Sequence, residues 1–197
     1  MTEVYFHVYS ATMNPCCMVK GVLEEAQRTW FCSGCCCPRP GFREIDAVIQ
    51  EKRPEPVLNG VAACGLGLAH IDFLAALGQD VVERDLHIGR VFDRNGDIIN
   101  DWVTFRGRRK LIVRGRDHVG YRKCDQCGRS VYFAMGDPYL CPPPKRDDCV
   151  YESDLWGLVI PERLMGRIMT REWKGVHIQK LAVLAEPQDG LPIELDP

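Results

Sequence analysis

Cys124-Asp125-Gln126-Cys127-Gly128 and Cys32-Ser33-Gly34-Cys35 are the two stretches of this 197-residue sequence that decide its fold. Two cysteines at C-x-x-C spacing form a tight knuckle that directs both sulfurs at one ion, and two knuckles complete the tetrahedral thiolate site that zinc prefers. Gly128 gives the second knuckle easy access to a positive φ, whereas Cys36 stands at the same place after the first. We therefore predict a zinc site with four ligands: Cys32, Cys35, Cys124 and Cys127.

The predicted zinc is structural rather than catalytic. Four thiolates leave no coordination position for water or substrate. Since 88 residues separate Cys35 from Cys124, the site must be a long-range tertiary contact that staples two segments. A redox C-x-x-C pair, a different fourth donor and a metal-free pair remain alternatives. The possible substitute ligands are Cys36, Cys37, Cys141, Cys149 and His70.

The 11 cysteines also bear on the cellular compartment. An odd number does not suit a complete disulfide framework, and the first residues have neither a basic nor an apolar signal region. We therefore expect a cytoplasmic protein whose thiols stay reduced. The longest uncharged runs have 16 residues and are interrupted by polar residues or glycines, so we expect no membrane span.

Hydrophobic periodicity predicts several short elements. Alternation over residues 4–9 indicates an opening strand, and residues 70–77 indicate a short helix that ends at Gly78. Residues 18–30 have roughly helical spacing. Short β-like runs cover residues 86–91, 98–105 and 111–113, with a hairpin turn at Asn95-Gly96.

The C-terminal third predicts a helix followed by a strand. Pro161 fits the first helical position, an apolar stripe runs on to Trp173, and Gly175 ends the helix. A strand follows over residues 176–184. The predicted fold is α+β, a mixed or antiparallel sheet with a few short helices, stapled by the four-cysteine zinc-knuckle pair.

We expect a single domain over residues 1–185, with a long insertion, about 38–122, between the knuckles. Residues 186–197 form an acidic tail. Beyond the two knuckles we find no internal repeat in the sequence.

Positive charge is concentrated in residues 101–123, which carry a local excess of +6. This stretch can be a solvated strand face, a surface for an acidic protein, or a phosphate-binding surface with aromatic stacking. The residues that we select as a candidate partner surface are Trp102, Arg106, Arg108 and Arg109.

Catalytic patterns are weak throughout. The five histidines are scattered, and none of the four serines lies in a G-x-S-x-G motif. A cysteine nucleophile paired with a histidine stays open, because such partners meet only in the fold. We expect no enzyme and name no catalytic residue.

Several features together resemble a known family. They are the double C-x-x-C pattern, the approach Trp30-Phe31-Cys32, the stretch Tyr151-Glu152-Ser153-Asp154-Leu155-Trp156, and the closing helix and strand over residues 160–184. This layout is similar to that of the double-CXXCG motif proteins, a family expanded in myxobacteria. Cys36 departs from the family pattern, which has glycine there.

The resemblance implies a function that the composition does not. Members of the family are classed as immunity proteins, which protect a cell from contact-delivered toxins of its kin. The resulting expectation is a non-enzymatic protein that binds a cognate toxin and occludes its active site, with structural zinc at the two knuckles. The alternative is a zinc-containing, nucleic-acid-binding regulator that uses residues 101–123.

Overall fold

The computed structural model describes residues 4–10, 13–14, 16–17, 32–34, 46–49, 57–61, 66–116, 120–128, 130–133, 136–153 and 157–186. These residues form a mixed α+β fold. Its helices are α1 (Ile71–Leu77), α2 (Gln79–Asp85) and α3 (Glu162–Ile168). None of the three is long and apolar enough to cross a membrane.

Two large sheets and one hairpin account for the strands of the described residues. The first eight strands are β1 (Tyr5–Ser10), β2 (Met13–Asn14), β3 (Cys16–Cys17), β4 (Ala47–Ile49), β5 (Leu58–Val61), β6 (Leu66–His70), β7 (Leu86–Phe92) and β8 (Ile98–Gly107). The remaining strands are β9 (Lys110–Leu111), β10 (Val113–Gly115), β11 (Gly120–Lys123), β12 (Ser130–Phe133), β13 (Pro138–Leu140), β14 (Tyr151–Ser153), β15 (Leu158–Pro161) and β16 (Val176–Val183).

Each large sheet closes on itself. One has the strand order β2-β5-β6-β8-β7-β4-β3, so that β2 and β3 are its edges. Only Pro15 separates these two strands in the chain, and two residue steps span about 7 Å at most. The other sheet, β10-β13-β16-β1-β15-β14-β9, has edges separated only by Ile112. In both sheets the edges must meet, which produces two small barrels.

The two barrels share one topology. We call β2–β8 with α1 and α2 the first unit, and β9, β10, β13–β16, α3 and β1 the second unit. In each unit the opening strand is bent into two halves, β2 and β3 in the first unit and β9 and β10 in the second. One half, β3 or β10, pairs antiparallel with the second strand of its unit, and the other half, β2 or β9, pairs parallel with the third. A helix follows the fourth strand, and the fifth strand pairs in parallel with the second. In the second unit β1 takes the place that β8 has in the first.

The pairing registers are also equivalent. Leu68 of β6 pairs with Thr104 of the last strand, as Val159 of β15 pairs with His7. On its other side Leu68 pairs with Asn59, as Val159 pairs with Tyr151. The buried residues of the two helices fall at the same positions from the helix start: Phe73, Leu74 and Leu77 in α1, and Leu164, Met165 and Ile168 in α3.

This duplication corrects the expectation that the sequence holds no repeat beyond the knuckles. The two units differ in loop length, and one strand of the second unit comes from the N-terminus. Equivalent residues of the two units therefore have similar burial and strand pairing, although most of them differ in amino-acid type. The barrel of the first unit begins at Met13, ahead of the first knuckle, rather than after it.

One hydrophobic core joins the two units. It contains side chains of both barrels, including Val8 and Ile160 from one and Leu58 and Phe105 from the other, together with the inner faces of the helices. A smaller cluster fills the barrel of the second unit with Tyr5, Val113, Leu140, Cys149, Tyr151, Val159 and Leu181. Both barrels are therefore anchored by buried side chains.

Most of the local predictions are confirmed. The opening strand, the helix that ends at Gly78, the hairpin turn at Asn95-Gly96 and the final strand are all present. Gly78 has φ +99°, which favours glycine at a helix end. The expectations for residues 18–30 and for most of the acidic tail lie outside the described residues.

The last helix is shorter than its sequence pattern predicts. Pro161 ends β15 and caps the helix, so it is not the first helical residue, and the helix stops at Ile168. Trp173 is buried because the chain turns back, which places its indole N–H 2.6 Å from the carbonyl oxygen of Ile168. This hydrogen bond satisfies a carbonyl at the helix end, which a continued helix would otherwise have used.

The duplication predicts that a circular permutant will fold. Strand β1 pairs with β16, with Tyr5 opposite Leu181. A permutant in which residue 197 is joined to residue 1 and the chain is opened at residues 11–12 would therefore carry all strands of the second unit in sequence. We expect a melting temperature within about 5 °C of the parent. Thermal unfolding followed by circular dichroism measures this. A permutant opened at Thr104, inside β8, is the control that should not fold; equal failure of both would contradict the assignment.

Candidate metal centre

The two knuckles leave equivalent connections of the two units. Cys32 lies between β3 and β4, which are the opening and second strands of the first unit. Cys124 and Cys127 lie between β10 and β13, the corresponding strands of the second unit. The second knuckle is the tip of the β11–β12 hairpin, whose last pair joins Lys123 to Ser130. The duplicated fold thus brings Cys32 of the first C-x-x-C motif to Cys124 and Cys127 of the second.

Three sulfurs converge at this place. The Sγ atoms of Cys32, Cys124 and Cys127 all lie within 4.8 Å of one another. The Cys32 and Cys124 sulfurs are 3.6 Å apart, too far for a disulfide and close to the roughly 3.8 Å expected between two thiolates bound to one tetrahedral zinc. Cys32 and Cys124 are buried, at 4% and 7% exposure, while Cys127 is exposed. These three side chains could hold a metal ion.

Backbone geometry in both knuckles supports convergent sulfurs. In the first knuckle the amide N–H of Gly34 donates to the Cys32 sulfur at 3.4 Å, a contact that stabilises thiolate charge. In the second, Gly128 has φ +72° and its N–H donates to the Cys124 carbonyl oxygen at 2.8 Å. A Cβ on Gly34 would come within 3.1 Å of the Cys124 sulfur. Glycine at position 34 therefore permits the close approach of the knuckles.

A side-chain hydrogen bond links the knuckles directly. The Ser33 hydroxyl donates to Oε1 of Gln126 at 2.5 Å, and the same oxygen lies 4.0 Å from the Cys32 sulfur. Ser33 and Gln126 occupy the variable positions of the C-x-x-C motifs, which no motif rule marks as functional. Their positions inside the motifs were the only signal available.

Cys35, the fourth predicted ligand, lies outside the described residues, as do the possible substitutes Cys36 and Cys37. The other three candidates do not belong to the cluster. His70 caps α1, with its Nδ1 accepting from the Asp72 N–H. Cys141 and Cys149 are buried elsewhere, the latter inside the barrel of the second unit.

Cys149 is unsuited to thiolate chemistry. Burial raises the pKa of its thiol above the usual 9.0, and a hydrogen bond to the Asp148 carboxylate raises this pKa further. A thiol with a raised pKa stays protonated at neutral pH, so it is neither a good nucleophile nor a good metal ligand.

Part of the positive charge in residues 101–123 is paired with acidic side chains of the protein itself. Arg106 is 8% exposed and its Nε lies 3.3 Å from Oε2 of Glu152, which also accepts from the Gly107 N–H. Arg109 reaches the fully buried Asp85 at 3.2 Å. Lys110 lies 3.8 Å from Glu152. These ion pairs reduce the charge that the stretch can offer to phosphates.

The selected partner surface is therefore corrected in part. Trp102 is 5% exposed and packs edge-on against His70, with ring centroids 5.4 Å apart. Arg106 is buried in its ion pair with Glu152. These two side chains support the fold and are not available to a partner, whereas Arg108 is exposed and Arg109 is partly exposed.

Neither a scan against protein-family models nor a search of curated proteins matches this chain.

Proposed function

We propose that this chain is a non-enzymatic immunity protein, which binds and neutralises a cognate bacterial toxin by occlusion, and whose zinc site is structural. The observation that carries the proposal is the convergence of three cysteine sulfurs, Cys32 of the first C-x-x-C motif with Cys124 and Cys127 of the second, from equivalent connections of the two units. The sequence features that resemble the double-CXXCG motif proteins provide the expectation of an immunity role. The geometry of the site supports the structural role of its metal.

The duplication supports Cys35 as the fourth ligand. Cys127 follows Cys124 in the second unit, and Cys35 holds the same position relative to Cys32 in the first. A site with four soft thiolate donors favours zinc among the available divalent metals. With all four positions filled, the ion holds two segments together and binds no substrate.

The zinc site holds the hairpin β11–β12, which among the described strands pairs with neither barrel. An isolated two-stranded hairpin is marginally stable in water. Zinc would fix it against the first knuckle and so hold a loop surface in one orientation. A preorganised surface is what tight binding of a protein partner requires, because ordering loops at the moment of binding lowers affinity.

The proposal is tested by finding an adjacent gene whose product carries a toxin-like domain and co-expressing that product with this chain. We expect rescue of growth and a co-purifying complex in which toxin activity is blocked, since occlusion requires a stable contact. A toxin with an inactivated active site is the control for binding, because it should still co-purify. An unrelated toxin should be neither bound nor neutralised. Absence of both rescue and complex would contradict an immunity role.

A further inference from the structure

Three thiols of unequal accessibility meet where the two knuckles approach each other. The Sγ atoms of Cys32, Cys124 and Cys127 lie within 4.8 Å of one another, and all three residues are free cysteines. Cys32 and Cys124 are buried, at 4% and 7% exposure, whereas Cys127 is exposed. A reagent larger than water therefore reaches the sulfur of Cys127 before the other two.

The surroundings of Cys32 stabilise its thiolate. The sulfur accepts the N–H of Gly34 at 3.4 Å. It also lies 3.6 Å from the Cys124 sulfur, close enough for the Cys124 thiol to donate to it as well. Hydrogen bonds to the charged form favour that form, and the thiolate is the nucleophile in disulfide chemistry. Cys32 is therefore the buried sulfur best placed to attack its neighbour Cys127.

We propose that this cluster is a site of reversible thiol–disulfide exchange with small disulfides, in which Cys127 reacts first and Cys32 resolves. The Cys127 thiolate attacks one sulfur of a small disulfide RSSR, which forms a mixed disulfide and releases RS⁻. The Cys32 thiolate then attacks the Cys127 sulfur, which forms the Cys32–Cys127 disulfide and releases a second RS⁻. The two cysteines lose two electrons, and RSSR gains them as two thiolates.

The product joins the two knuckles covalently. It uses two of the three sulfurs that could hold a metal ion, so the zinc site and the disulfide exclude each other. The exchange would thus release zinc and leave a covalent link between the same two segments. Only this consequence rests on the proposed function, because the exchange itself requires the sulfurs alone.

The other described cysteines lack these features. Cys141 and Cys149 are buried, at 4% and 0% exposure, and lie outside the cluster. The raised pKa of Cys149 keeps its thiol protonated at neutral pH. Reaction with a small disulfide should therefore distinguish Cys127 from both of them.

The test treats the purified, reduced protein with oxidised glutathione at about pH 8, where thiolates form readily. Acid quenching, alkylation of the remaining thiols and tryptic mapping by mass spectrometry then identify the linked peptides. We expect a link between residues 29–43, which contain Cys32, and residues 124–129, which contain Cys127. Dithiothreitol should separate the two peptides.

Two variants assign the roles of the sulfurs. Cys32→Ser removes the resolving sulfur, so glutathione should remain on Cys127 and the mixed disulfide there should increase about tenfold or more over the parent. Cys124→Ser should still form the link. Cys127 is then the only cysteine of residues 124–129, which makes the assignment of the linked peptide unambiguous.

Cys149→Ser is the matched control, because it removes a buried sulfur outside the cluster and should leave the link as it is. A parent disulfide between Cys124 and Cys127, a link that persists in Cys32→Ser, or no link at all would overturn the proposal. The parent map alone decides the linkage if Cys32→Ser fails to fold. The readout needs neither toxin nor zinc, so its failure is separate from failure of the proposed function.

Discussion

If the three cysteine sulfurs belong to the proposed zinc site, Cys124→Ser should reduce bound zinc from one ion per chain to almost none. Cys124 is 7% exposed and its sulfur lies 3.6 Å from that of Cys32. Cys124→Ser therefore replaces a soft thiolate of the site with a harder, protonated hydroxyl that binds zinc weakly. If zinc is present at about 1,000 times its dissociation constant, its contribution to the free energy of unfolding is about 4 kcal/mol. For a chain of this size that corresponds to a fall in melting temperature of about 8–16 °C.

Two measurements separate loss of metal from general damage. Metal analysis of the purified protein gives the stoichiometry, and hydrogen exchange should show lost protection in β11 and β12, with both barrels retaining theirs. Asp125→Ser is the matched control, because Asp125 is an exposed residue of the same knuckle and supplies no sulfur. Unchanged zinc content in Cys124→Ser, or a reduced protein that contains no zinc, would contradict the metal site.

Local signals predicted the elements that depend on neighbouring residues alone. Alternation around Tyr5 marks a strand wherever the chain places it, and Gly78 ends a helix because a positive φ is needed there. The helix after Pro161 was predicted too long for the same reason. Trp173 continues an apolar stripe in sequence, but its burial results from a turn that the stripe does not encode.

Long-range relations could not be predicted in this way. The C-x-x-C spacing identified Cys32, Cys124 and Cys127 individually, whereas their meeting depends on the duplicated barrels. The dipeptide His-Ile occurs at equivalent places, 87–88 in β7 and 177–178 in β16, but it also occurs at 70–71, where it marks no equivalence. Two identical residues in an eight-residue strand are too few to detect a repeat whose units also differ by a transferred strand.

The chemical type of a residue also failed to predict whether its side chain reaches the surface. Trp102 and Arg106 are residue types that often dominate interfaces, and their sequence neighbourhood is basic. The acid that buries Arg106, Glu152, lies 46 residues further along the chain. No local pattern connects them, so the sequence predicted a surface where the fold has an internal ion pair.

Asp85 is the second residue whose replacement should have a large effect, because it connects the two units. Its carboxylate is fully buried at the end of α2 and accepts from Arg84 at 2.7 Å and from the Val150 N–H at 2.9 Å. Arg109 completes the contact at 3.2 Å. Arg109 and Val150 belong to the segments that lead into β9 and β14, so one carboxylate holds α2 against the second unit.

The charge of Asp85 makes this junction dependent on pH. Burial alone would raise the pKa of Asp85, but the hydrogen bonds from Arg84 and Val150 and the charges of Arg84 and Arg109 outweigh it. The pKa of this carboxyl is therefore held below its ordinary value of 3.8. Because the folded-state pKa is lowered, the stabilisation is fully present above pH 4 and is lost as the pH falls through the folded-state value.

Asp85→Ala should therefore lower the free energy of unfolding by about 3 kcal/mol at pH 7. The change leaves the buried Val150 N–H without an acceptor and two arginines without their counter-ion, although each arginine side chain is 37% exposed and regains some water. Asp85→Asn keeps an acceptor and should cost less. Asp80→Ala, on the same helix but at an exposed ion pair with Arg167, is the control with a much smaller effect.

Urea denaturation at pH 7 and pH 3 measures the free energy of unfolding of all three variants. The difference between the parent and Asp85→Ala should shrink at the lower pH, and a difference that persists undiminished would show that packing, rather than the carboxylate charge, holds the units together.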